Sequence, residues 1–359
     1  MVPTASEVVQ KAAELNPLGP EEPPSLENVP RITNETITEH REEVLKGARK
    51  YIYPLQHSKH RIIMVTSTII VTALVSFLIY CVLGLYKLYQ YNTFLYRVTQ
   101  VVPFPIAHIG GSFVNYENYL FELRHYVHYY ENQQQLNFGG HDKQQLIQYR
   151  NQALKDVVNN TYVKILADKN HVAVSAKEVD TRITEVRNQN RLGSNNKVFS
   201  DVLRQYFGWS ITDFKRALKD QVLAEKVEAK LDTATAQRAQ SAQAQLKSGA
   251  NFVDLARQIS DDPSKVNGGD YGFGITKNNS NVPPQVVDAL FNLKTGQTSG
   301  IILASRPDIS RPDTLEIVQL VNSDGTTATA RHITFNLKDI STYVSDLQAK
   351  QPAKAYVKF

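Results

Sequence analysis

Residues 248–274 read SGANFVDLARQISDDPSKVNGGDYGFG. Gly249 closes the Ala- and Gln-rich segment 233–249, TATAQRAQSAQAQLKSG, a strong helix former, and Asn251 supplies an N-cap for the short amphipathic run FVDLARQIS. A Ser260-Asp261-Asp262 loop and a Gly268-Gly269-Asp270 turn follow. Working outward toward the C-terminus, Gly272, Gly274, Pro283-Pro284, Gly296 and Gly300 punctuate short apolar runs. LEIVQLV (315–321), NSDG (322–325) and ARHITF (330–335) then predict two strands around a turn. The grammar is that of an α+β module over 233–359.

Upstream, residues 87–232 predict helices. VVPFPIAHIGGSFVNYENYLFELRHYVHYYE (101–131) opens with a Pro-punctuated extended stretch and a Gly110-Gly111 turn, then places Tyr116, Tyr119, Leu120 and Leu123 on one helical face. Leu146, Tyr149, Leu154, Val157, Val158, Ile165 and Leu166 recur at helical spacing. Ser175 with Glu178 makes a capping box, and Ser210 with Asp213 repeats it ahead of the stripe Ile211, Phe214, Leu218, Val222, Val227 and Leu231. Trp209 and the tyrosines are expected in the core or at its rim; exposed, they would suit binding of unfolded chains.

Further upstream, Ile62 to Tyr86 is a run of 25 residues without a charge, about 37 Å as a helix and so long enough to cross a bilayer. No positive n-region opens the chain and no small-residue cleavage site follows Tyr86, so a signal peptide fits poorly. Cys81 is expected to face lipid. Lys46, Arg49, Lys50, Lys59 and Arg61 precede the segment, against Lys87 and Arg97 after it. This bias predicts a single-pass cell-membrane protein with a cytoplasmic N-terminus and extracytoplasmic C-terminal domains. Residues 1–61, with PLGPEEPPSLENVP (17–30) and nine acidic against eight basic residues, predict a disordered cytoplasmic tail.

Composition excludes several classes. With 40 Lys plus Arg against 35 Asp plus Glu, a net charge of +5 is too dispersed to argue for nucleic acid. One cysteine excludes an intramolecular disulfide and Cys-based zinc or iron–sulfur sites. Neither HExxH nor GxSxG nor a phosphate-binding loop is present, and Asp261, Asp262 and Asp270 lack the spacing of a calcium loop. No metal or cofactor is expected.

The stretch 248–274, followed by VVDALFNLKTGQTSGII (286–302), resembles the central part of a parvulin-type peptidyl-prolyl isomerase domain. The helices of 101–231 are similar to the N-terminal chaperone region of SurA- and PrsA-type foldases. The resemblance implies an α+β isomerase domain behind an all-α chaperone region and one transmembrane helix. Asp262 lies where parvulins place a cysteine or aspartate in the active site, and Glu316 where many carry a histidine on the last strand. The family's opening strand bears a histidine just before the first helix, yet here the residues directly preceding Ala234 are helical and hold none. We therefore expect ARHITF to occupy that strand's place in a permuted arrangement that returns His332 to the site; the alternative is an ordinary histidine on a terminal strand. The family's apolar proline cup maps onto Val282, Val286 and Phe291, with Tyr271 and Phe273 either completing the cup or packing the Gly-rich turn. A carboxylate at 316 beside Asp262 requires a protonated His332 between them.

Two functions follow from the resemblance. One is a membrane-anchored foldase acting on X-Pro segments of unfolded or newly exported polypeptides. The other is a non-catalytic holdase with a degenerate parvulin domain. The partners expected are unfolded polypeptides and, through 62–86, the lipid bilayer.

Overall fold

A computed structural model describes residues 33–52, 55–190, 192–193, 195–305 and 313–359. The chain divides into two units at Ile79 and Tyr80.

In the first unit, helix α1 (Asn34–Ile52) is exposed along the side chains described, and α2 (Leu55–Tyr86) begins three residues later. The expected disorder therefore does not extend over 34–52, while its Pro-rich part at 17–30 lies outside the described residues. Local terms explain the helix: Thr33 and Thr36 exchange hydrogen bonds at its start, Glu35 sits in its first turn, and Glu42 precedes Lys46 by one turn. Residues His60–Tyr86 of α2 are long and apolar enough to cross a membrane by length and composition.

The second unit starts inside α2. Cys81 is fully buried rather than facing outward. The chain turns back after Tyr86, and α3 (Thr93–Val101), capped by the Asn92 side chain, lays Leu95 so close to Gly84 that a Cβ there would come within 3.0 Å of Leu95 Cδ1. Ile62 to Tyr80 remain exposed, which is about 28 Å of helix.

Strands β1 (Pro105–Ile109) and β2 (Ser112–Asn115) form a hairpin through Gly110, whose φ of +54° suits glycine. Helices α4 (Tyr116–Gln133) and α5 (Lys143–Lys169) pack on it, burying Tyr116, Tyr119, Leu120, Leu123, Val157 and Tyr162. Helices α6 (Ala176–Gln189), α7 (Asn196–Phe207) and α8 (Ile211–Leu231) surround a second core of Val179, Ile183, Phe199, Leu203 and Leu218. Both capping boxes form, at Ser175 with Glu178 and at Ser210 with Asp213.

After α9 (Thr233–Lys247), α10 (Phe252–Ile259) and a 3-10 turn (Pro263–Asn267) come β3 (Ile275–Thr276), α11 (Pro284–Asn292), β4 (Ile302–Ala304), β5 (Thr314–Ser323) and β6 (Thr327–Asn336). They form an antiparallel sheet of order β3-β6-β5-β4. Strand alternation divides its faces. Ile317, Ile333 and Phe335 meet Ala239, Phe252 and Leu255 of α9 and α10, whereas Val318, Leu320, Ala328 and Ala330 meet Val286, Val287 and Leu290 of α11.

The last twenty residues leave this sheet. Helix α12 (Ile340–Lys350) and β7 (Lys354–Ala355) return to the helical region, where Val344 and Val357 join the core of α4 and α5 and β7 pairs antiparallel with β1. The sequence expectation ran the α+β module from 233 to 359; 340–359 instead pack with the helices, because their apolar residues find partners there.

A polar cluster joins the helical region to the α+β part. Arg182 on α6 makes a two-pronged pair with Glu225 of α8 at 3.0 and 2.7 Å, and bonds Ser305 at 2.7 Å; Gln285 of α11 donates to Glu185 at 3.0 Å.

Candidate active site

Glu316 and His332 converge because β5 and β6 are paired in one register. Val318 pairs with His332 and Glu316 with Thr334, so Glu316 and His332 are diagonal neighbours on the face that α11 covers only in part. Opposite them the Asp261 backbone N–H donates to Thr334 O at 2.8 Å, fixing the loop after α10 against β6. A second clamp is His332 N–H donating to Gly269 O at 2.8 Å. Gly269 has φ of +80°, and a Cβ there would lie 2.1 Å from His332 O, so this turn accepts only glycine.

The result is a chain of hydrogen bonds. His332 Nε2 lies 3.0 Å from Ser264 Oγ and 3.3 Å from Asp262 Oδ2, while Nδ1 lies 3.2 Å from Glu316 Oε2. Asp262 Oδ1 accepts from Ser264 Oγ at 2.7 Å and Ser260 Oγ at 3.2 Å. Glu316, fully buried, accepts from Tyr271 OH at 3.2 Å and Thr314 Oγ1 at 3.1 Å. The Tyr271 ring stacks on His332 with centroids 4.0 Å apart.

Burial alone would depress the His332 pKa, but hydrogen bonds and charge from Asp262 and Glu316 override it and raise it to about 9. Burial would likewise raise Asp262, yet the bond to His332 and those from Ser264 hold it at about 2. Near neutral pH the cluster therefore holds an imidazolium against the Asp262 carboxylate, with Glu316 at the other ring nitrogen. Asp261 stands apart from this relay: Arg238 grips it at 2.6 and 3.1 Å and Asn336 N–H donates to it.

Asp262, Ser264 and His332 line an open groove of about 490 Å³, with Glu316 buried behind them and Pro263, Tyr271, Phe273 and Asn281 among its walls. Phe273 packs edge-on against Tyr271 and is 43% exposed, so its ring is free to meet a ligand. Thus Asp262, His332, Glu316, Tyr271 and Phe273 lie together. Val282 and Val286 do not: at 1% and 0% exposure they belong to the core under α11, because Pro283-Pro284 start that helix with its apolar stripe toward the sheet. Phe291 also points away from the groove, lining a separate cavity of about 290 Å³ with Lys277 over its ring.

Sequence reasoning missed Ser260, Ser264, Thr314 and Thr334. Ser260, part of the loop after the FVDLARQIS run, is 3% exposed and also accepts from Thr334 N–H at 3.0 Å. Thr314 and Thr334 carried a usable signal, since each lies two residues along its strand from Glu316 or His332 and hence on the same face.

Residues 55–228 match the SurA-like N-terminal domain, and residues 220–318 match the PPIC-type peptidyl-prolyl isomerase (PPIase) domain. The chain joins a SurA-like domain to a parvulin domain. Among curated relatives, chaperone SurA of Methylobacillus flagellatus is 32% identical over 121 residues, covering 32% of this chain and 25% of that one. Chaperone SurA of Burkholderia lata is 37% identical over 115 residues, covering 30% and 24%. The matches therefore span about a quarter of the length of these relatives. The crystal structure of foldase protein PrsA from Streptococcus pneumoniae aligns at 18% identity over 69% of this chain and 85% of that one, with a TM-score of 0.18, too low to argue from. The parvulin match ends at residue 318, so His332 and β6 lie beyond it.

Proposed function

We propose that this chain is a membrane-anchored foldase whose parvulin domain isomerises X-Pro bonds in exported polypeptides. The observation that carries the reading is the Asp262–His332 pair lining an open groove, backed by the buried Glu316, beside a PPIC-type match. We also assign the functional parts as 87–232 plus 340–359 for the chaperone body and 233–337 for the isomerase. In this assignment β6 takes the place of the family's opening strand. The excess of Lys and Arg before Ile62 supports a cytoplasmic N-terminus, with the remainder across the membrane.

Prolyl isomerisation must pass a twisted amide about 18–20 kcal/mol above the planar forms. As the C–N resonance is lost, negative charge leaves the carbonyl oxygen. A fixed carboxylate beside that oxygen penalises the planar amide more than the twisted one, and a groove that strips water from it acts in the same direction. In our reading Asp262 supplies this charge, His332, Glu316 and the Ser264 hydroxyl hold it in place, and Phe273 with Tyr271 and Pro263 seats the proline ring. No covalent step is needed.

One observation favours the second reading, a holdase without turnover: Val282 and Val286 are withdrawn into the core, so the cup rests on Tyr271, Phe273 and Pro263. Refolding of a client limited by prolyl isomerisation separates the two. Faster refolding that is lost in Asp262→Ala supports the enzyme. Unchanged refolding rates with suppressed aggregation support the holdase.

A further inference from the structure

The helical region holds a cavity that the isomerase chemistry does not use. It is about 300 Å³ in volume, and Phe121, Glu122 and His125 of α4, Lys164 of α5, Trp209, and Arg216 of α8 line it. Its aromatic wall is ordered: Trp209 stacks on Phe121 with centroids 5.4 Å apart and planes 8° apart, and on His125 at 4.3 Å. Trp209 Nε1 is buried without a hydrogen-bond partner.

The cavity's lining carries two cations, Lys164 and Arg216, and two acids, Asp220 and Glu122, but both cations are already paired and Glu122 is left over. Arg216 is committed to Glu117 through two bonds of 2.6 and 2.8 Å, with its guanidinium carbon 4.3 Å over the Phe121 ring. Lys164 is committed to Asp220 at 2.9 Å, and Asp156 accepts from Tyr126 OH at 2.6 Å. Glu122 has no such bond among the described residues. Burial, together with Asp156 and Asp220 and against Arg216 and Lys164, raises its carboxyl to about 7. An unpaired carboxylate beside an aromatic wall is the chemistry that receives an organic cation, since the ring faces attract the charge and the acid pairs with it. An anion would meet Glu122 and cations that are already spent.

We propose that this cavity receives one Lys or Arg side chain of a bound client polypeptide, the aliphatic stem along Phe121 and Trp209 and the cationic head on Glu122. The volume lies at the lower end of the range for small-ligand sites and suits one long side chain. This rests on the foldase reading for the nature of the ligand, and it adds a charge preference located far along the chain from the proline groove.

Trp209 is the only tryptophan of the chain and lines the cavity, so its fluorescence reports occupancy directly. The full chain in detergent micelles is titrated with a Trp-free, proline-free ten-residue peptide carrying one central Lys, with its Lys→Gln counterpart, and with acetyl-lysine methylamide. The expected result is a saturable fluorescence change with the Lys peptide, binding at least tenfold tighter than the Gln peptide and the isolated lysine derivative. In Glu122→Gln that preference disappears while peptide prolyl isomerisation is unchanged. Equal affinity for the Lys and Gln peptides, or a preference that survives Glu122→Gln, overturns the proposal but leaves the foldase reading standing. The lysine derivative binding as tightly as the peptide overturns the assignment to polypeptide. Absence of any peptide binding overturns both.

Discussion

Replacing His332 by Gln tests whether the site is an ion triplet or merely a set of neutral hydrogen bonds. In the wild type His332 is 4% exposed and is held protonated to about pH 9 against an ordinary value of 6.5. At 1.36 kcal/mol per pH unit, this preferential proton binding stabilises the fold by about 3 kcal/mol. Because the folded value is raised, the contribution is complete below pH 6.5 and is lost as pH rises through about 9. Asp262 has the opposite sign: its value is depressed from 3.8 to about 2, so its contribution exists above 3.8 and disappears as pH falls through about 2. Urea unfolding followed by far-ultraviolet circular dichroism at pH 6 and pH 9 reads the difference. Wild type loses about 3 kcal/mol more than His332→Gln between these values, because Glu122 and Glu228, whose carboxyls are raised to about 7 and about 8, titrate in both proteins and cancel. At pH 6 the variant is itself weaker by about 3–5 kcal/mol, since Glu316 is left buried without its cation. Parallel pH profiles for the two proteins, or an imidazole that titrates at 6.5 by nuclear magnetic resonance, would refute the ion triplet.

Three other outcomes follow from the same geometry. Phe273→Ala leaves the melting temperature within a degree or two, because the ring is already 43% exposed, but lowers kcat/KM on X-Pro peptides about tenfold, as steady-state kinetics will show. Gly269→Ala forces a Cβ into His332 O and abolishes both the groove and cooperative melting of the isomerase domain, visible by calorimetry. Arg182→Ala strands Glu225 and Glu185 at the junction of the two regions and costs about 3–5 kcal/mol in denaturant unfolding, with Arg182→Lys restoring only part because it lacks the two-pronged fork.

What the sequence revealed was local. Ser175–Glu178 and Ser210–Asp213 specify helix starts within four residues, and the alternation of LEIVQLV and ARHITF specifies paired strands. Asp262, Glu316 and His332 are legible only through the family resemblance and the hairpin turn. What stayed hidden depends on contacts distant in the chain. The pairing of β7 with β1 joins Ala107 to Ala355 through strands too short to carry a period. Cys81 sits in an unbroken apolar run, and its place in the buried core shared with Leu85 and Leu95 depends on the chain's return after Tyr86. Val282 and Val286 were misplaced because an apolar residue beside a Pro-Pro helix start satisfies a ligand cup and a core equally well in sequence. Ser260 looked like a turn residue, and its role exists only through β6.

The most direct test of the central claim is two-dimensional exchange spectroscopy of cis and trans proline signals in a short Ala-Pro peptide, with and without the chain. The account predicts that the full chain raises the exchange rate in proportion to its concentration and that Asp262→Ala abolishes the increase while the fold persists. An exchange rate equal to that of peptide alone, or acceleration retained in Asp262→Ala, would contradict it.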